Sequence, residues 1–380
     1  MPPDHDHRTA PPPRVWLLFG HKAGDNEQLR ALADALGWPY EIKHLVYRRT
    51  ELITNRLLGV TLAGIVKSRS SPLRPPWPEL IITAGRRNDP VAQWIRRQAR
   101  GRVRLVRLGR PWAALEAFDL VVVTPQYPLP PHPRLIRNTL PLHRIDDHRL
   151  GRAAAEWGPR LAHLPRPYIA VLAGGNSGAY TLEPELADYM GHKAAEMAEA
   201  GGGSILVTTS PRTPKAAARR LIEAARRRPS FIYEWGSSEG PNPYLGYLAL
   251  ADELIVTGES ISMLTEACAS GRPVHIVDLD PAGAAAHHGI PRPRFVTRLK
   301  RARIHPLIHR LGMWTGPRRL RRDLREVHRV LIEAGHAAYL GTGHPTAART
   351  APMDDDLETT MRHVRALFAD SLPVRPTTRS

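Results

Sequence analysis

Short apolar runs that end in glycine, serine or threonine recur along the chain, and most are followed by a segment with helical spacing of apolar residues. The clearest example is residues 251–279, ADELIVTGESISMLTEACASGRPVHIVDL, whose order indicates strand, turn, helix, turn and strand. A continuous apolar run of strand length is typical of a strand that is buried on both faces, as in parallel sheets covered by helices. The repeated order therefore predicts a doubly wound parallel α/β fold.

The pattern of strands and helices occurs in two blocks, separated by a Pro-rich and polar stretch at about 125–166. The first block predicts a Rossmann-like domain at 14–150 and the second predicts another at 160–345, as expected for 380 residues, which exceed one ordinary core. Residues 1–13 are rich in proline and histidine and predict a disordered tail. Residues 354–370 predict a C-terminal helix whose acidic first turn suits the helix dipole.

Cysteine and hydropathy limit the class of protein. Cys268 is the only cysteine, which excludes an intramolecular disulfide and a cysteine-based zinc cluster and favours a reducing compartment. No apolar run approaches the roughly 20 residues of a membrane helix, and no signal-peptide pattern opens the sequence. The histidines at 287–288 and the aspartates at 354–356 have no metal-ligand spacing around them. We therefore expect a cytoplasmic protein without a metal site.

Basic residues are concentrated in two stretches. The formal net charge is +18, from 54 Lys and Arg against 36 Asp and Glu. Residues 96–110 contain seven arginines and no acid, and residues 292–329 contain thirteen Lys and Arg against two acids. Such stretches form either a solvated polar surface or a contact for an anionic partner, such as the inner face of a membrane, where the protein would be peripheral. Nucleic acid is not expected, because no recognised binding motif accompanies the charge.

The turn after the strand in RPYIAVLAGG is a candidate phosphate site. Gly174 and Gly175 would let backbone N–H groups approach an anion closely, together with Asn176 and Ser177, and a helix start adds its positive end. The alternative is an ordinary glycine turn. The spacing matches neither G-x-G-x-x-G nor the P-loop, which weakens the prediction of a standard dinucleotide or NTPase site.

The segment TGESISMLTEA is a second candidate anion site. Ser260, Ser262 and the N–H groups around Met263 come at a predicted helix start after a strand. Glu266 follows one turn later, where a carboxylate can accept hydrogen bonds from a diol such as ribose. The alternative role for Glu266 is a capping box, but its spacing to Ser262 does not fit that motif.

The turn FGHKAGDNEQ after the first strand carries the candidate catalytic residues His21 and Asp25. Either side chain could take the proton of an acceptor hydroxyl. The alternatives are a structural hydrogen bond for His21 and a helix N-cap role for Asp25.

Several segments, spread over most of residues 15–280, resemble one family. The matching pieces are GHKAGDNEQLRALADALG, ITAGRRNDPVA, VLAGGNSGAY, VTTSPRTP, NPYLGYLALAD and VTGESISMLTEA. They are similar to the mitochondrial-fission-like family, the "elongated mitochondria" proteins of plants and their bacterial relatives. These relatives are described as GT-B glycosyltransferases and sometimes as nucleoside-diphosphate-sugar epimerases. The resemblance implies a GT-B-like fold, in which two Rossmann-like domains face a cleft. It assigns the acceptor to the first domain and the nucleotide sugar to the second.

The resemblance also implies roles for residues of the second domain. Glu266 would hold the ribose of the donor nucleotide, and Asn242 would lie near its base. Arg212 would offset the charge of the diphosphate. The other residues around the diphosphate would be Gly174, Gly175, Asn176, Thr209, Ser210, Ser260, Ser262 and Met263.

The expected reaction is transfer of a sugar from a nucleotide-diphosphate sugar to a hydroxyl acceptor, for example on an envelope saccharide or lipid. The donor is the substrate, and no further cofactor or metal is needed in principle, because helix starts and arginines can stabilise the leaving diphosphate. One alternative is a non-enzymatic fission-type scaffold at a membrane surface. A second is a nucleoside-diphosphate-sugar epimerase of the NAD-dependent class, with Tyr189 and Lys193 at Y-x-x-x-K spacing. A third is a serine hydrolase with Ser260 as nucleophile, whose motif lacks its second glycine.

Overall fold

The computed structural model describes residues 11–48, 59–290, 322–345 and 355–369. Most of the predicted N-terminal tail lies outside these residues. The basic stretch at 292–329 enters the description only from Arg322 onward.

The described chain divides into two compact units. Unit 1 comprises Met1–Leu142 with Asp354–Ser380, and unit 2 comprises His143–Met353. The predicted domains, 14–150 and 160–345, place the boundary later in the chain than this division, and they leave the C-terminal helix on its own.

Unit 1 contains a six-stranded sheet in the order β2-β1-β3-β4-β5-β6, and its strand pairs are all parallel. Strands β1 and β3 are buried along their whole length, which is the reason that they appear in the sequence as unbroken apolar runs. The strands are β1 Val15–Phe19, β2 Tyr40–His44, β3 Leu80–Ala84, β4 Arg104–Leu108, β5 Leu120–Val123 and β6 Leu135–Arg137.

Helices α1 (Ala23–Leu36) and α2 (Asn88–Gln98) follow β1 and β3 in unit 1. The C-terminal helix, Asp355–Ala366, packs on the same core as α1, with Val364 and Phe368 buried. The Asp356 carboxylate accepts hydrogen bonds from the N–H groups of Thr139 at 3.0 Å and Leu140 at 2.9 Å. These contacts are the physical reason that the end of the chain belongs to unit 1.

Unit 2 contains a second six-stranded parallel sheet, in the order β12-β11-β10-β7-β8-β9. Its strands are β7 Tyr168–Leu172, β8 Ser204–Thr208, β9 Ser230–Tyr233, β10 Glu253–Thr257, β11 Val274–Val277 and β12 Ala337–Tyr339. Its described helices are α3 Asp147–Leu161, α4 Pro184–Ala200, α5 Lys215–Ala225, α6 Tyr244–Leu250, α7 Ile261–Ala269, α8 Pro281–His288 and α9 Arg325–Glu333. The C-terminal helix of unit 1, Asp355–Ala366, is α10.

Helix α3 lies in the Pro-rich and polar stretch at about 125–166, for which the sequence predicts no helix. Asp146 begins the helix by accepting the Arg149 N–H at 2.6 Å. Trp157 and Leu161 are buried, and the Trp157 ring lies so close to Gly246 of α6 that a Cβ there would overlap it. Helix α3 is therefore part of the core of unit 2, and the boundary falls before it.

The predicted α/β class is confirmed, because the described chain forms two α/β units, each with a six-stranded parallel sheet. The arrangement of the two units about a cleft stays a prediction. None of the described helices is both long and apolar enough to cross a membrane.

Candidate functional site

Three turns meet at the carboxyl end of the sheet in unit 2, where strands β10, β7 and β8 are neighbours. Glu259, in the turn after β10, joins them. Its Oε1 atom accepts the Gly175 N–H at 2.7 Å and lies 3.4 Å from Nη2 of Arg212, which follows β8. Ligands of open α/β sheets bind at this end of the strands, so this junction is the candidate site of unit 2.

Glu259 is a buried carboxylic acid that the sequence analysis missed. It is 2% exposed, and its Oε2 atom has no hydrogen-bond partner among the described residues. Burial raises its pKa to about 7, and the Arg212 charge and the Thr257 hydroxyl oppose that rise. Glu259 therefore changes charge near neutral pH.

The N–H groups of the glycine turn are already bound within the protein. Gly174 donates to Thr257 Oγ1 at 2.8 Å, Asn176 to the Arg212 carbonyl at 3.0 Å and Ser177 to the Tyr180 carbonyl at 2.9 Å, while Gly175 donates to Glu259. A phosphate held by this predicted cradle would have to replace a protein acceptor.

Close packing explains why glycines stand in this turn. A Cβ on Gly174 would overlap Glu259 Oε1, and one on Gly175, whose φ is +125°, would overlap the Arg212 carbonyl. These contacts favour the ordinary glycine-turn alternative for Gly174 and Gly175.

Two predicted residues after β8 hold the turn in place. The Ser210 hydroxyl donates to the Gly174 carbonyl, and Thr209 Oγ1 accepts the Trp235 N–H at 2.8 Å. Arg212 is different, because its side chain is 41% exposed while one nitrogen lies beside Glu259. Of these three residues, Arg212 is the one placed to meet a ligand.

A second arginine reaches the same junction. Arg322 Nη1 donates to Ser177 Oγ at 3.4 Å, and its Nη2 donates to the Glu259 carbonyl at 3.5 Å. Arg212 Nη1 donates to the Asn176 carbonyl at 3.3 Å. In the sequence, Arg322 is one residue of the basic stretch at 292–329, and 145 positions separate it from Ser177.

Helix α7 begins at this junction, at Ile261. Ser260 is its N-cap residue but makes no side-chain capping bond, and Ser262 and Met263 are half-buried in the first turn. The first N–H groups of a helix have no acceptor within the helix and carry its positive end. The predicted anion site at Ser260, Ser262 and Met263 keeps this geometry, and its ligand stays a prediction.

Glu266 lies one turn further along α7 and has a partner that the sequence analysis missed. The Tyr244 hydroxyl donates to Glu266 Oε2 at 2.5 Å. Burial is the main cause that raises the pKa of Tyr244 well above its ordinary value, and the Glu266 charge adds to the effect. Asn242 is exposed just before α6, and its Oδ1 accepts the Tyr244 N–H at 3.0 Å. Asn242, Tyr244 and Glu266 thus form a polar group at the start of α6.

The candidate catalytic residues of unit 1 follow β1. His21 is exposed, with its ring edge-on to Tyr47 at a centroid distance of 6.1 Å. Lys22 is the N-cap of α1 and Asp25 lies inside its first turn, so the N-cap alternative for Asp25 is wrong. A Cβ on Gly85, which follows β3, would lie 3.4 Å from Asp25 Oδ2. Both candidates therefore lie at the carboxyl end of the sheet in unit 1.

Buried polar groups position this edge of unit 1. Asn88 Nδ2 donates to the carbonyls of Leu18 at 2.7 Å and Ala84 at 2.8 Å, and its Oδ1 accepts from the Tyr47 hydroxyl. Asp89 forms a buried ion pair with Arg107, with Oδ1 and Nε 2.7 Å apart. These bonds tie the turns after β1 and β3 to the interior of the unit.

The basic stretch at 96–110 does not form one continuous cationic surface. Arg107 is buried with Asp89, while Arg96 and Arg104 pair with Asp119 at 3.3 and 3.4 Å. Arg110 is half-buried, and the exposed remainder consists of Arg97, Arg100 and Arg102.

Residues 23–330 match the protein-family model described as "Mitochondrial fission ELM1". That range includes the described parts of both sheets except the first strand and the last. The chain belongs to this family. The resemblance noted in the sequence is thereby confirmed.

Two curated proteins are similar to this member of the ELM1 family. The mitochondrial fission protein ELM1 of Arabidopsis thaliana is 31% identical over 247 residues, which cover 59% of this chain and 57% of the relative. An uncharacterized protein of Rickettsia prowazekii, RP120, is 23% identical over 295 residues, which cover 69% of this chain and 82% of the relative. The chain thus spans little more than half the length of the plant protein.

Solved structures resemble the ELM1-family chain only distantly. UDP-GlcNAc 2-epimerase from Neisseria meningitidis, bound to UDP-GlcNAc, has 9% identity and a TM-score of 0.43, covering 84% of this chain and 99% of its own. ADP-heptose LPS heptosyltransferase II from E. coli has 13% identity and a TM-score of 0.40, and the match covers 69% of this chain and 84% of the heptosyltransferase.

The pair that suggests an NAD-dependent epimerase makes contacts inside the ELM1-family fold. The Tyr189 hydroxyl donates to the Leu340 carbonyl at 3.3 Å, and Lys193 Nζ binds Glu196 at 2.6 Å. Both residues lie within helix α4 and not at a strand end. These contacts give the pair a structural role.

Proposed function

We propose that unit 2 binds a nucleotide-diphosphate sugar at the junction of the turns after β7, β8 and β10, and that the protein transfers the sugar to a hydroxyl acceptor. The observation that carries the proposal is the convergence of Gly175, Arg212 and Glu259 at the point where α7 begins. Bringing three strand ends and a helix start together is how open α/β sheets build ligand sites.

The diphosphate has a suitable electrostatic environment at this junction. Arg212 and Arg322 both contact the turn after β7, and α7 directs its N-terminus to the same place. Guanidinium groups and helix N-terminal N–H groups stabilise phosphate oxygens and also the charge that develops on a leaving diphosphate. Proton uptake by Glu259 would leave the Arg212 charge for the ligand, because the competing carboxylate becomes neutral.

Glu266 is the proposed partner of the ribose. It lies on α7 one turn past the proposed diphosphate position, and Tyr244 orients its carboxylate. A carboxylate can accept several hydrogen bonds at once, so the Tyr244 bond is compatible with a second one from a diol. Asn242, next to Tyr244 in space, is the proposed contact of the base.

In the proposed reaction an acceptor oxygen forms a bond to the anomeric carbon, and the bond from that carbon to the diphosphate oxygen breaks. The nucleoside diphosphate leaves with the electron pair, and His21 or Asp25 takes the acceptor proton. Both side chains lie at the carboxyl end of their own sheet, where the exposed His21 can reach solvent.

The test is a turnover assay with UDP-, GDP-, ADP- and dTDP-sugars, in which released nucleoside diphosphate is measured. The proposal expects release from one donor class, strongly reduced by Arg212→Ala and by a combined His21→Ala and Asp25→Asn change. The exposed Glu223→Gln on α5 is the control and should leave release unchanged. Release that survives both changes, or no release from any donor, would reject the transferase.

A membrane-surface scaffold is the second candidate, favoured by the family to which the chain belongs and by the exposed Arg97, Arg100 and Arg102. It expects binding to anionic vesicles that weakens with salt and with charge reversal of these three arginines. A transferase does not need to bind anionic vesicles, so sedimentation with phosphatidylserine vesicles distinguishes the scaffold from the transferase.

A further inference from the structure

A cluster of two histidines and a glutamate lies at the other end of the sheet in unit 2. Glu253 is the first residue of β10, His275 is the second residue of β11, and His344 follows β12. One ligand atom from each of the three side chains lies within 4.8 Å of the others. The amino ends of parallel strands are remote from the proposed nucleotide site, so the cluster is independent of that function.

Both imidazole rings approach a single carboxylate oxygen. Glu253 Oε2 is 2.7 Å from His275 Nε2 and 3.1 Å from His344 Nε2. The two rings are perpendicular, with centroids 5.6 Å apart. Two imidazole nitrogens and one carboxylate oxygen therefore lie close together.

The hydrogen bond at the far side of His344 indicates which nitrogen carries its proton. His344 Nδ1 is 3.1 Å from the Pro345 carbonyl, which can only accept, so we assign the proton to Nδ1. The lone pair of Nε2 then faces the Glu253 carboxylate. A lone pair that points toward the carboxylate is what a metal ion bound by both groups requires.

We propose that Glu253, His275 and His344 bind a divalent metal ion of the zinc class. Two neutral imidazoles and a carboxylate are a ligand set that Zn²⁺ prefers, and water can complete the coordination from the side of His344, whose side chain is 66% exposed. The ion would fix the segment after β12 to the sheet, shortly before the chain passes to α10 of unit 1.

We expect an exchangeable site and not a tightly held structural zinc. A histidine bound to metal usually donates its second N–H to an acceptor, which His344 does toward Pro345. His275 Nδ1 is buried and has no acceptor among the described residues. Loss of such a partner weakens metal binding about 10- to 100-fold.

The sequence carries no sign of this site, because its ligands come from positions 253, 275 and 344 without short spacing. Their strands are neighbours only after the sheet forms, and the third ligand depends on the path of the chain after β12.

The experiment is a titration of the full-length protein, first stripped with EDTA, with Zn²⁺ by calorimetry and with Co²⁺ by visible absorption. We expect Zn²⁺ to bind, and we expect bound Co²⁺ to show the visible absorption bands of an ion with a low coordination number. The melting temperature should rise with Zn²⁺ concentration. His344→Gln is the most informative variant, because its exposed side chain is not needed for the core. It should weaken Zn²⁺ binding more than about tenfold, as should His275→Gln.

The matched control is His363→Gln, an exposed histidine of α10, which should leave the affinity unchanged. Zn²⁺ affinity equal in wild type and His344→Gln would overturn the proposal and assign the metal to other histidines. Failure of wild type to bind either Zn²⁺ or Co²⁺ would also overturn the proposal, and the cluster would then be an ion pair of Glu253 with the two histidines. Neither result bears on nucleotide binding.

Discussion

Replacement of Glu259 by glutamine is the change whose effect can be worked out furthest. Glutamine has nearly the shape of a protonated glutamic acid, and its Oε1 can still accept the Gly175 N–H that wild type binds at 2.7 Å. It cannot ionise. The variant therefore removes the cost of a buried charge while it keeps the contacts of the turn.

The magnitude follows from the difference between the folded and unfolded pKa. Burial raises the pKa of Glu259 from an ordinary 4.5 to about 7. The folded state binds the proton more tightly, so the Glu259 contribution to stability is complete below pH 4.5, falls as the pH rises to 7, and changes little above that. At about 1.4 kcal/mol per pKa unit, ionisation in the fold costs roughly 3 kcal/mol of unfolding free energy at pH 8.

The assay is urea unfolding of wild type and Glu259→Gln at a series of pH values from 4.5 to 8.5, with Glu223→Gln as control. The free-energy difference between variant and wild type should be near zero at the acid end and should favour the variant by about 3 kcal/mol at pH 8. Other titrating groups, such as Asp89, cancel in this difference. A difference that does not depend on pH, or a variant less stable than wild type at pH 8, would refute the reasoning.

Three further predictions concern the same two sheets. Asp89→Ala leaves the Arg107 charge buried without its partner and should cost about 3–5 kcal/mol of unfolding free energy, measured with urea, whereas Glu358→Ala removes a surface pair and should cost under about 1 kcal/mol. Equal losses would show that the buried pair is dispensable. Tyr244→Phe removes the bond to Glu266 and should weaken nucleotide binding about tenfold, measured by calorimetry, with little change in stability; unchanged affinity would argue against an orienting role. Binding of a nucleoside diphosphate at pH 8 should take up as much as about one proton through Glu259, seen as a dependence of the binding enthalpy on the buffer, and Glu259→Gln should abolish that uptake.

The strands could be predicted because parallel strands are buried on both faces, and short apolar runs such as those of β1 and β10 are typical of such strands. The sequence does not predict helix α3, because the helix has few apolar residues and contains Pro159. Its place in unit 2 depends on contact with α6, which the local sequence does not reveal. For the same reason, the boundary between the units was predicted too late in the chain.

The candidate site shows a similar limit. Arg212, Ser260 and Glu266 stand at strand ends and a helix start, where the topology predicts a ligand site, and the family resemblance implies the roles of Arg212 and Glu266. The sequence does not predict the role of Glu259, because an acidic residue in a polar turn is expected to be exposed to solvent. Its burial arises from contact with a glycine turn 84 positions earlier in the chain. The sequence does not predict the role of Tyr244, because its partner, Glu266, lies 22 residues away. Contacts of that kind are set by packing and not by spacing.

The most direct test of the proposed function is calorimetric titration of wild type and Glu266→Gln with UDP, GDP, ADP and dTDP. We predict that one of these diphosphates binds wild type, and that Glu266→Gln binds it at least about tenfold more weakly, because a charge-assisted hydrogen bond to the ribose is lost. Glu223→Gln should bind like wild type. Absence of binding by all four diphosphates, or equal affinity in wild type and Glu266→Gln, would contradict the proposed function.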